Sequence, residues 1–410
     1  MENEIRKTIN DLLQKGFSNE FIENNSFEDA PCVKIVNSIL EYAIQKRASD
    51  IHIEPFKNDT LIRFRINGDL EEICDLPSKY HSIVVGRIKV MSGINIAEKR
   101  FPQDGKAEFY KDEFYDLRIA TLPTIYGEKI VIRLLQRDSK LINLMNLGFE
   151  DENIIESIVN KRCGIILVTG PTGSGKSTTL HAILNEIKKN KLNIITLEDP
   201  VEYTTSKINQ VSVKENLGLT FSTLLRSILR QDPDVIMIGE IRDSETAKIA
   251  VRAAETGHLV FSTLHTKNAI GAINRLYEMG VENYLIADSL VSIISQRLIK
   301  KLCPFCKEEY KASDKEKKIL NIENDDLILY KGIGCNKCNN TGYIGRTVVY
   351  EYLNIDNDIK NMLQNEEKLY KIKKYIHEKG FISMNKRCYL LLLEGKINIE
   401  DFLEIGAYDD

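Results

Sequence analysis

Residues 166–184, ILVTGPTGSGKSTTLHAIL, join an apolar run to a glycine-rich turn and a helical pattern. The turn matches G-x-x-x-x-G-K-[ST] in the context that this motif requires, after a predicted strand and before a predicted helix. Glycines let backbone N–H groups approach phosphate oxygens, and the helix N-terminus adds positive potential. The pattern therefore predicts a nucleotide-binding loop formed by Gly170, Pro171, Thr172, Gly173, Ser174, Gly175, Lys176, Ser177 and Thr178.

Two residues of this loop have roles that follow from their chemistry. Lys176 is expected to reach the β- and γ-phosphates of ATP, and the Ser177 hydroxyl is expected to bind Mg²⁺. A glycine-rich turn without a ligand is the alternative, and the strand–turn–helix context argues against it. The motif by itself predicts nucleotide binding and does not show which process the nucleotide drives.

The composition is typical of a soluble protein of two or three domains, with 410 residues, 43% hydrophobic and 28% charged. A formal net charge of −4 gives no overall attraction to nucleic acid or anionic lipid. No apolar run approaches the ~18–20 residues that span a bilayer, and the charged N-terminal stretch is not a secretory signal. We expect a cytoplasmic protein with no membrane span and no direct binding of nucleic acid.

Hydrophobic periodicity predicts two folded domains after a short helical segment over residues 1–30. Over 31–138, a helix and several strands, among them a hairpin with a tight turn at Asn67-Gly68, predict a small α+β domain. Over 141–410, short apolar runs alternate with helical segments, which predicts a parallel sheet covered on both faces, followed by C-terminal helices. The strands are predicted at 164–169, 193–197, 234–238 and 259–264, the helices at 176–189, 220–230, 244–256 and 267–279, and a cysteine-bearing insert at about 300–345.

Acidic residues follow two of the predicted strands. The stretch LEDPVEY places Glu198, Asp199 and Glu202 after one strand, and RQDPDVIMIGEIRD ends another strand at Glu240. Ligands bind outside the carboxyl ends of the strands in open α/β sheets, so these acids lie where a ligand is expected. A carboxylate at that edge can face the γ-phosphate through a water molecule or Mg²⁺.

Histidines flank a third predicted strand, with His258 before it and His265 after it in GHLVFSTLHTKNA. A single acid or histidine at a strand end is usually a cap or a surface group. Four such segments, each at a strand end of one predicted domain, favour a shared site instead.

Four of the eight cysteines form two C-x-x-C pairs, Cys303 with Cys306 and Cys335 with Cys338. Four thiolates at this spacing suit tetrahedral Zn²⁺ and leave no open position for catalysis, so the sequence predicts a structural zinc site. The 28-residue gap between the pairs exceeds the usual range for such sites. A redox role would require a thioredoxin-like βαβ setting, which is absent from this part of the sequence. Zinc ribbons also bind nucleic acid, which keeps that class of function open.

The four segments resemble the Walker A, Asp box, Walker B and His box of the type II secretion and type IV pilus assembly ATPases, a family of ring-forming motors. Further stretches similar to this family are SDIHIEP, RFRINGDL, RFPQDG, DLRIATLPTIYGEK and CNNTGYIGRTVVYEYL, so the resemblance covers about residues 31–353. It implies an α/β fold: a RecA-like P-loop ATPase domain preceded by a small α+β, PAS-like domain. The family's tetracysteine insert has variable spacing, which accommodates the long gap.

The resemblance also implies roles for the residues at the strand ends. Glu240 would orient or activate the attacking water, and Glu198 and Asp199 would support Mg²⁺ and that water. His265, together with His258, would report on the γ-phosphate of the bound nucleotide.

Arginines of the N-terminal domain close over the nucleotide in this family, and they would supply positive charge to the transition state. The resemblance points to Arg118 in DLRIATLP and Arg133 in IVIRLL, with Arg100 as a third candidate. Where relatives often carry arginine after QDG, this chain has Lys106, which keeps the charge and loses the planar fork.

The function that the resemblance implies is a cytoplasmic homo-hexameric ATPase, peripheral at the inner face of the cell membrane. It would drive an inner-membrane platform protein that assembles pilin-like subunits, and the tetracysteine insert favours elongation over retraction. The motor of a DNA-uptake pilus, or a RecA-like motor acting on DNA, is the alternative. Many members begin with a large docking domain, and the roughly 30 residues before the core here leave that docking unsupported.

Overall fold

The computed structural model describes residues 31–136, 143–188, 191–201, 204–322 and 326–406, so the helical segment predicted over 1–30 lies outside the described residues. The chain divides into two compact units, a first unit from Met1 to Asp138 and a second unit from Ser139 to Asp410. Each unit contains its own sheet and its own hydrophobic core.

The first unit contains a six-stranded antiparallel sheet of order β3-β2-β1-β6-β5-β4, with two helices packed against it. The predicted hairpin is present, and its turn residues Asn67 and Gly68 both have left-handed backbone angles, as a tight hairpin turn requires. Ile51 and Ile53 enter the core while His52 and Glu54 point away from it, as strand alternation predicts. The elements are α1 (Pro31–Gln45), β1 (Ala48–Pro55), β2 (Asp59–Ile66), β3 (Asp69–Pro77), α2 (His81–Met91), β4 (Gln103–Lys111), β5 (Glu113–Thr124) and β6 (Gly127–Gln136).

The second unit is built on a seven-stranded sheet of order β15-β12-β7-β11-β10-β8-β9, in which only β15 runs antiparallel to its neighbour. The carboxyl ends of the central strands therefore lie along one edge of the sheet. Its strands are β7 (Gly164–Thr169), β8 (Ile194–Glu198), β9 (Asn209–Ser212), β10 (Val235–Ile238), β11 (Leu259–Leu264), β12 (Leu290–Leu302) and β15 (Tyr343–Asn354). A separate two-stranded sheet pairs β13 (Lys307–Lys311) with β14 (Ile328–Gly332).

Helices cover both faces of this sheet because its central strands are apolar on both sides. Along β7, Ile165 and Leu167 enter one core cluster, and Ile166 and Val168 enter the other. The helices are α3 (Leu144–Leu147), α4 (Glu152–Val159), α5 (Lys176–Ile187), α6 (Phe221–Ile228), α7 (Ser244–Glu255), α8 (Ala269–Glu278), α9 (Asn283–Ser289), α10 (Asp314–Leu320), α11 (Asn357–Gln364), α12 (Leu369–Glu378), α13 (Met384–Leu393) and α14 (Ile399–Gly406).

The predicted fold class, an α/β chain with a parallel sheet, is confirmed, and the structure adds strands that the sequence pattern does not predict. Strand β12 extends through Leu302 and strand β15 begins at Tyr343, so both ends of the predicted insert belong to the main sheet. Within the described ranges, no helix combines the length and the apolarity that crossing a bilayer requires.

Candidate nucleotide site and cysteine cluster

The glycine-rich loop connects β7 to α5 along a path that side chains would obstruct. Gly170, Gly173 and Gly175 have φ angles of 147°, 80° and 85°. A Cβ atom on Gly170 would lie 2.5 Å from the carbonyl oxygen of Gln296 and 2.6 Å from Ser174 Oγ. Real Cβ atoms do not approach other atoms this closely, so glycine is required there by both the backbone angle and the space.

Lys176 lies folded back onto the loop. Its side chain is buried, and Nζ donates to the carbonyl oxygens of Gly170 at 3.0 Å and Pro171 at 2.9 Å. An ammonium group has three donors, so one donor remains for a phosphate oxygen. Burial lowers the pKa of Lys176. The buried Oγ of Ser174 has no hydrogen-bond partner within the described residues, so the loop has donor capacity that a phosphate group fits.

A cavity lies beside the N-terminus of α5, where Ser177 faces the carboxyl ends of β8 and β10. The loop thus brings the predicted magnesium ligand and the predicted carboxylates together. Residues lining the cavity are Ser177, Leu180, Glu198, Asp199, Pro200, Phe221, Met237, Gly239 and Glu240.

Arg242 joins two carboxylates of this cavity. Its guanidinium donates to Glu240 and lies 3.3 Å from Oδ2 of Asp199. His265 lies on the other side, with Nε2 3.5 Å from Oε2 of Glu240. Burial alone would raise the pKa of Glu240, but the hydrogen bond and charge of Arg242 hold it below its usual value. The lowered pKa favours the ionised form of Glu240, which is the stronger hydrogen-bond acceptor for water.

Glu198 is buried and is already bound by three protein donors. Oε2 accepts from His181 at 3.2 Å, and Oε1 accepts from Thr196 at 2.6 Å and from Gln210 at 3.0 Å. Burial alone would raise the pKa of this carboxyl, but the hydrogen bonds, that of His181 first among them, hold it below its usual value. Glu198 is thus a fixed negative charge at the cavity wall.

The structure separates the two predicted histidines. His265 follows β11 and reaches Glu240, whereas His258 precedes β11 and its Nδ1 contacts the carbonyl oxygen of Ala253 at 2.9 Å. The strand between them places His258 about 20 Å from the edge where the loop lies. The fold therefore does not bring His258 to the cavity of its own chain, and it serves there as a cap at the end of α7.

Three residues of the site are missing from the sequence-based prediction. Arg242 lies two residues after Glu240 in GEIRD, and its charge next to a Walker B acid is the signal that could have found it. Gln296 donates to the carbonyl oxygen of Ser174 at 2.7 Å, and the buried Arg297 donates to that of Lys267 at 2.8 Å. Both belong to β12, the unpredicted strand.

Glu202 lies outside the described residues.

In the first unit, Lys106, Arg118 and Arg133 are register partners across β4, β5 and β6, so they form one row on one face of that sheet. Arg133 Nε donates to Asp50 Oδ1 at 3.0 Å. Arg100 instead forms an exposed ion pair with Glu98 at 2.8 Å.

The four predicted zinc ligands form a compact cluster, with their sulfur atoms within 4.8 Å of one another. Sγ of Cys303 is 3.8 Å from that of Cys335, and Sγ of Cys306 is 3.7 Å from that of Cys338. A tetrahedral zinc with bonds of about 2.3 Å requires sulfur separations of about 3.8 Å, so the cluster has the size of a zinc site. Backbone N–H groups of Cys335 and Gly342 bind Sγ of Cys338, and although burial alone would raise its pKa, they help to lower it to about 6.

The sequence matches a family model described as "Type II/IV secretion system protein" over residues 25–404, which is nearly the whole chain. The chain belongs to this family. The type II secretion system ATPase E of Vibrio cholerae serotype O1 is 47% identical over 345 residues, which are 83% of this chain and 69% of that protein. The type IV pilus assembly ATPase PilB of Thermus thermophilus is 41% identical over 406 residues, 98% of this chain and 46% of that protein. The family predicted from the sequence is therefore confirmed.

Two solved structures have a similar fold. The pilus retraction motor PilT with bound ADP is 29% identical, with a TM-score of 0.63 over 90% of this chain and 96% of that one. The ATPase DotB of Legionella pneumophila, 22% identical, has a TM-score of 0.69 over 91% of this chain and 95% of that one, and supports the fold.

Proposed function

We propose that this protein hydrolyses ATP in a Mg²⁺-dependent reaction at the cavity between the glycine-rich loop and Glu240. The observation that carries the proposal is the meeting of Ser177, Glu240 and Asp199 around one cavity beside a loop with spare phosphate donors. Relatives named as ATPases support the same activity.

In this proposal the residues divide the chemistry between them. Lys176 and the loop N–H groups bind the phosphates, and Ser177 would hold Mg²⁺, which neutralises phosphate charge when bound. Glu240 accepts a hydrogen bond from the attacking water and orients it. Asp199 and His265 keep Glu240 and its surroundings in place, since each contacts Glu240 directly or through Arg242.

The positive charge that the transition state requires is assigned to Arg118 and Arg133, with Lys106 and Arg100 as further candidates. This assignment rests on the family resemblance and on the clustering of Lys106, Arg118 and Arg133 in one row. The four cysteines are assigned one structural Zn²⁺, which their sulfur spacing supports.

The work driven by hydrolysis is proposed to be the assembly of a type IV pilus or of a secretion pseudopilus. The protein would act as a homo-hexamer on the cytoplasmic side of the membrane, against a platform protein of the inner membrane. The names of the relatives from Vibrio cholerae and Thermus thermophilus support both versions of this role.

The test is steady-state ATP hydrolysis by the purified full chain, with mass measured by light scattering. Turnover that requires Mg²⁺ and a mass near six times 46.9 kDa is expected. Release of no phosphate at any Mg²⁺ concentration by a folded, nucleotide-binding protein would contradict the proposed reaction.

A further inference from the structure

His181 is a buried residue that the proposed chemistry does not use. It lies on α5 four residues after Ser177, and residues four apart on a helix share one face. Its side chain is fully enclosed, on the same side of the helix as the predicted magnesium ligand.

Nε2 of His181 contacts the carboxylate of Glu198 at 3.2 Å. An ionised carboxylate accepts hydrogen bonds and cannot donate them, so Nε2 carries the hydrogen of this bond. Thr196 from β8 and Gln210 from β9 complete the set of donors. His181 thus links the phosphate-binding helix to a carboxylate whose other two donors, Thr196 and Gln210, belong to the sheet.

The position of Glu198 connects His181 to the proposed site. Glu198 lines the cavity itself, and the next residue, Asp199, forms the ion pair with Arg242 that also holds Glu240. The chain of contacts therefore runs from the helix of Lys176 and Ser177 through His181 to the group that orients water.

We infer that His181 is a positioning residue for ATP hydrolysis: by holding Glu198, it fixes the carboxylate side of the cavity relative to the helix that grips the phosphates. The inference rests on the proposed function. Groups that orient the ligands and carboxylates of a metal-assisted site typically change activity by about 10–100-fold when removed. Ground-state binding of the phosphates does not pass through this link, so it should persist.

The test compares two substitutions in the full chain. His181→Leu removes the donor while filling the space, and His181→Gln keeps a donor of similar reach. We expect His181→Leu to lower kcat about 10–100-fold while ATP affinity, measured in EDTA, changes by less than about 3-fold. His181→Gln should recover most of kcat. Thr179→Val is the matched control, because Thr179 is equally buried on the same helix and its hydroxyl has no partner within the described residues.

Glu198→Gln supplies a second measurement that does not depend on the folding of the leucine variant. If His181 acts through Glu198, His181→Ala lowers kcat in the wild-type background but lowers it no further when added to Glu198→Gln, because the two residues form one unit. An unchanged kcat in folded His181→Leu, or fully additive losses in the double variant, overturns the inference. Failure of the wild-type protein to hydrolyse ATP would instead contradict the proposed function, so the two failures are distinguishable.

Discussion

At the scale of single residues, the site depends on Arg242 as much as on the acids that surround it. Without a nearby positive charge, burial would shift a carboxylate such as Glu240 toward its protonated form, which is a weaker hydrogen-bond acceptor for water than the ionised form. The guanidinium reverses that shift and ties Glu240 to Asp199. Acids at strand ends are predictable from the sequence because parallel strands end at one edge. Arg242 can be noticed from its position next to Glu240, but its contact with both acids depends on the turn after β10.

Replacing Arg242 should change the pH dependence of hydrolysis. Glu240 must be ionised to act, and its lowered pKa keeps it ionised below the usual range of a glutamate. In Arg242→Gln, burial would raise that pKa, so turnover should begin to fall at a higher pH as the solution is acidified. The measurement is kcat against pH, with Arg275→Gln, which breaks an exposed ion pair elsewhere, as the control. Superimposable acid limbs would mean that Arg242 does not tune Glu240.

Substitutions of Lys176 and Glu240 should affect different measurements, nucleotide affinity for Lys176 and turnover for Glu240. In the proposed reaction Lys176 contacts phosphate in the ground state and in the transition state, so Lys176→Ala should weaken nucleotide binding itself. Glu240 acts on the attacking water, so Glu240→Gln should bind ATP nearly normally and lose about 10²-fold or more in turnover. Equilibrium nucleotide binding measured beside steady-state hydrolysis separates the two. A Glu240→Gln protein with wild-type turnover would rule out its proposed role.

At the scale of elements, a strand can be predicted from the sequence when its surroundings are the same along its whole length. Strands β7, β10 and β11 are buried along their whole length, so continuous apolar runs mark them in the sequence. Strand β12, LVSIISQRLIKKL, starts in the core and ends among lysines, and no turn residues separate it from α9. No single period or composition describes such a segment, and the residues that it brings to the glycine-rich loop are missed with it.

The sequence pattern also fails to show which of the two histidines beside β11 reaches the site. The two ends of β11 lie on opposite edges of the sheet, so only one of the flanking histidines can reach the loop of its own chain. His265 lies at the loop's edge of the sheet and contacts Glu240, whereas His258 lies at the opposite edge, although the motif resemblance treats them as a pair.

The cysteine cluster should bind one zinc per chain and stabilise the part of the fold around β13 and β14. The double change Cys303→Ser/Cys306→Ser removes two of four thiolates and should abolish tight binding, because a structural site needs the full set. Metal content by mass spectrometry and thermal unfolding are the measurements. Cys163→Ser is the matched control, since this exposed cysteine lies outside the cluster. Zinc retained in full by the double variant would show that these thiolates are not its ligands.

At the scale of the whole molecule, the charge balance predicts that the protein does not act on nucleic acid. With 56 basic and 60 acidic residues, electrostatic binding to DNA should be weak. We expect a dissociation constant no tighter than the ~10⁻⁴–10⁻⁶ M of non-specific binding at physiological salt, and no stimulation of turnover. Fluorescence anisotropy with labelled duplex and single strands tests this. Submicromolar affinity at that salt would favour a DNA-acting motor.

Strand β12 connects the glycine-rich loop mechanically to the cysteine cluster. Gln296 in this strand touches the glycine-rich loop, and Cys303 follows seven residues later, about 23 Å away along an extended chain. Over that distance the strand stays paired with β15, apart from one irregularity between Lys300 and Leu302. Pairing along this length makes the strand bend less readily than an unpaired segment would. A displacement of the loop would reach the cysteine cluster along this strand, so a spectroscopic label beside the cluster, away from its four thiolates, would follow the nucleotide cycle.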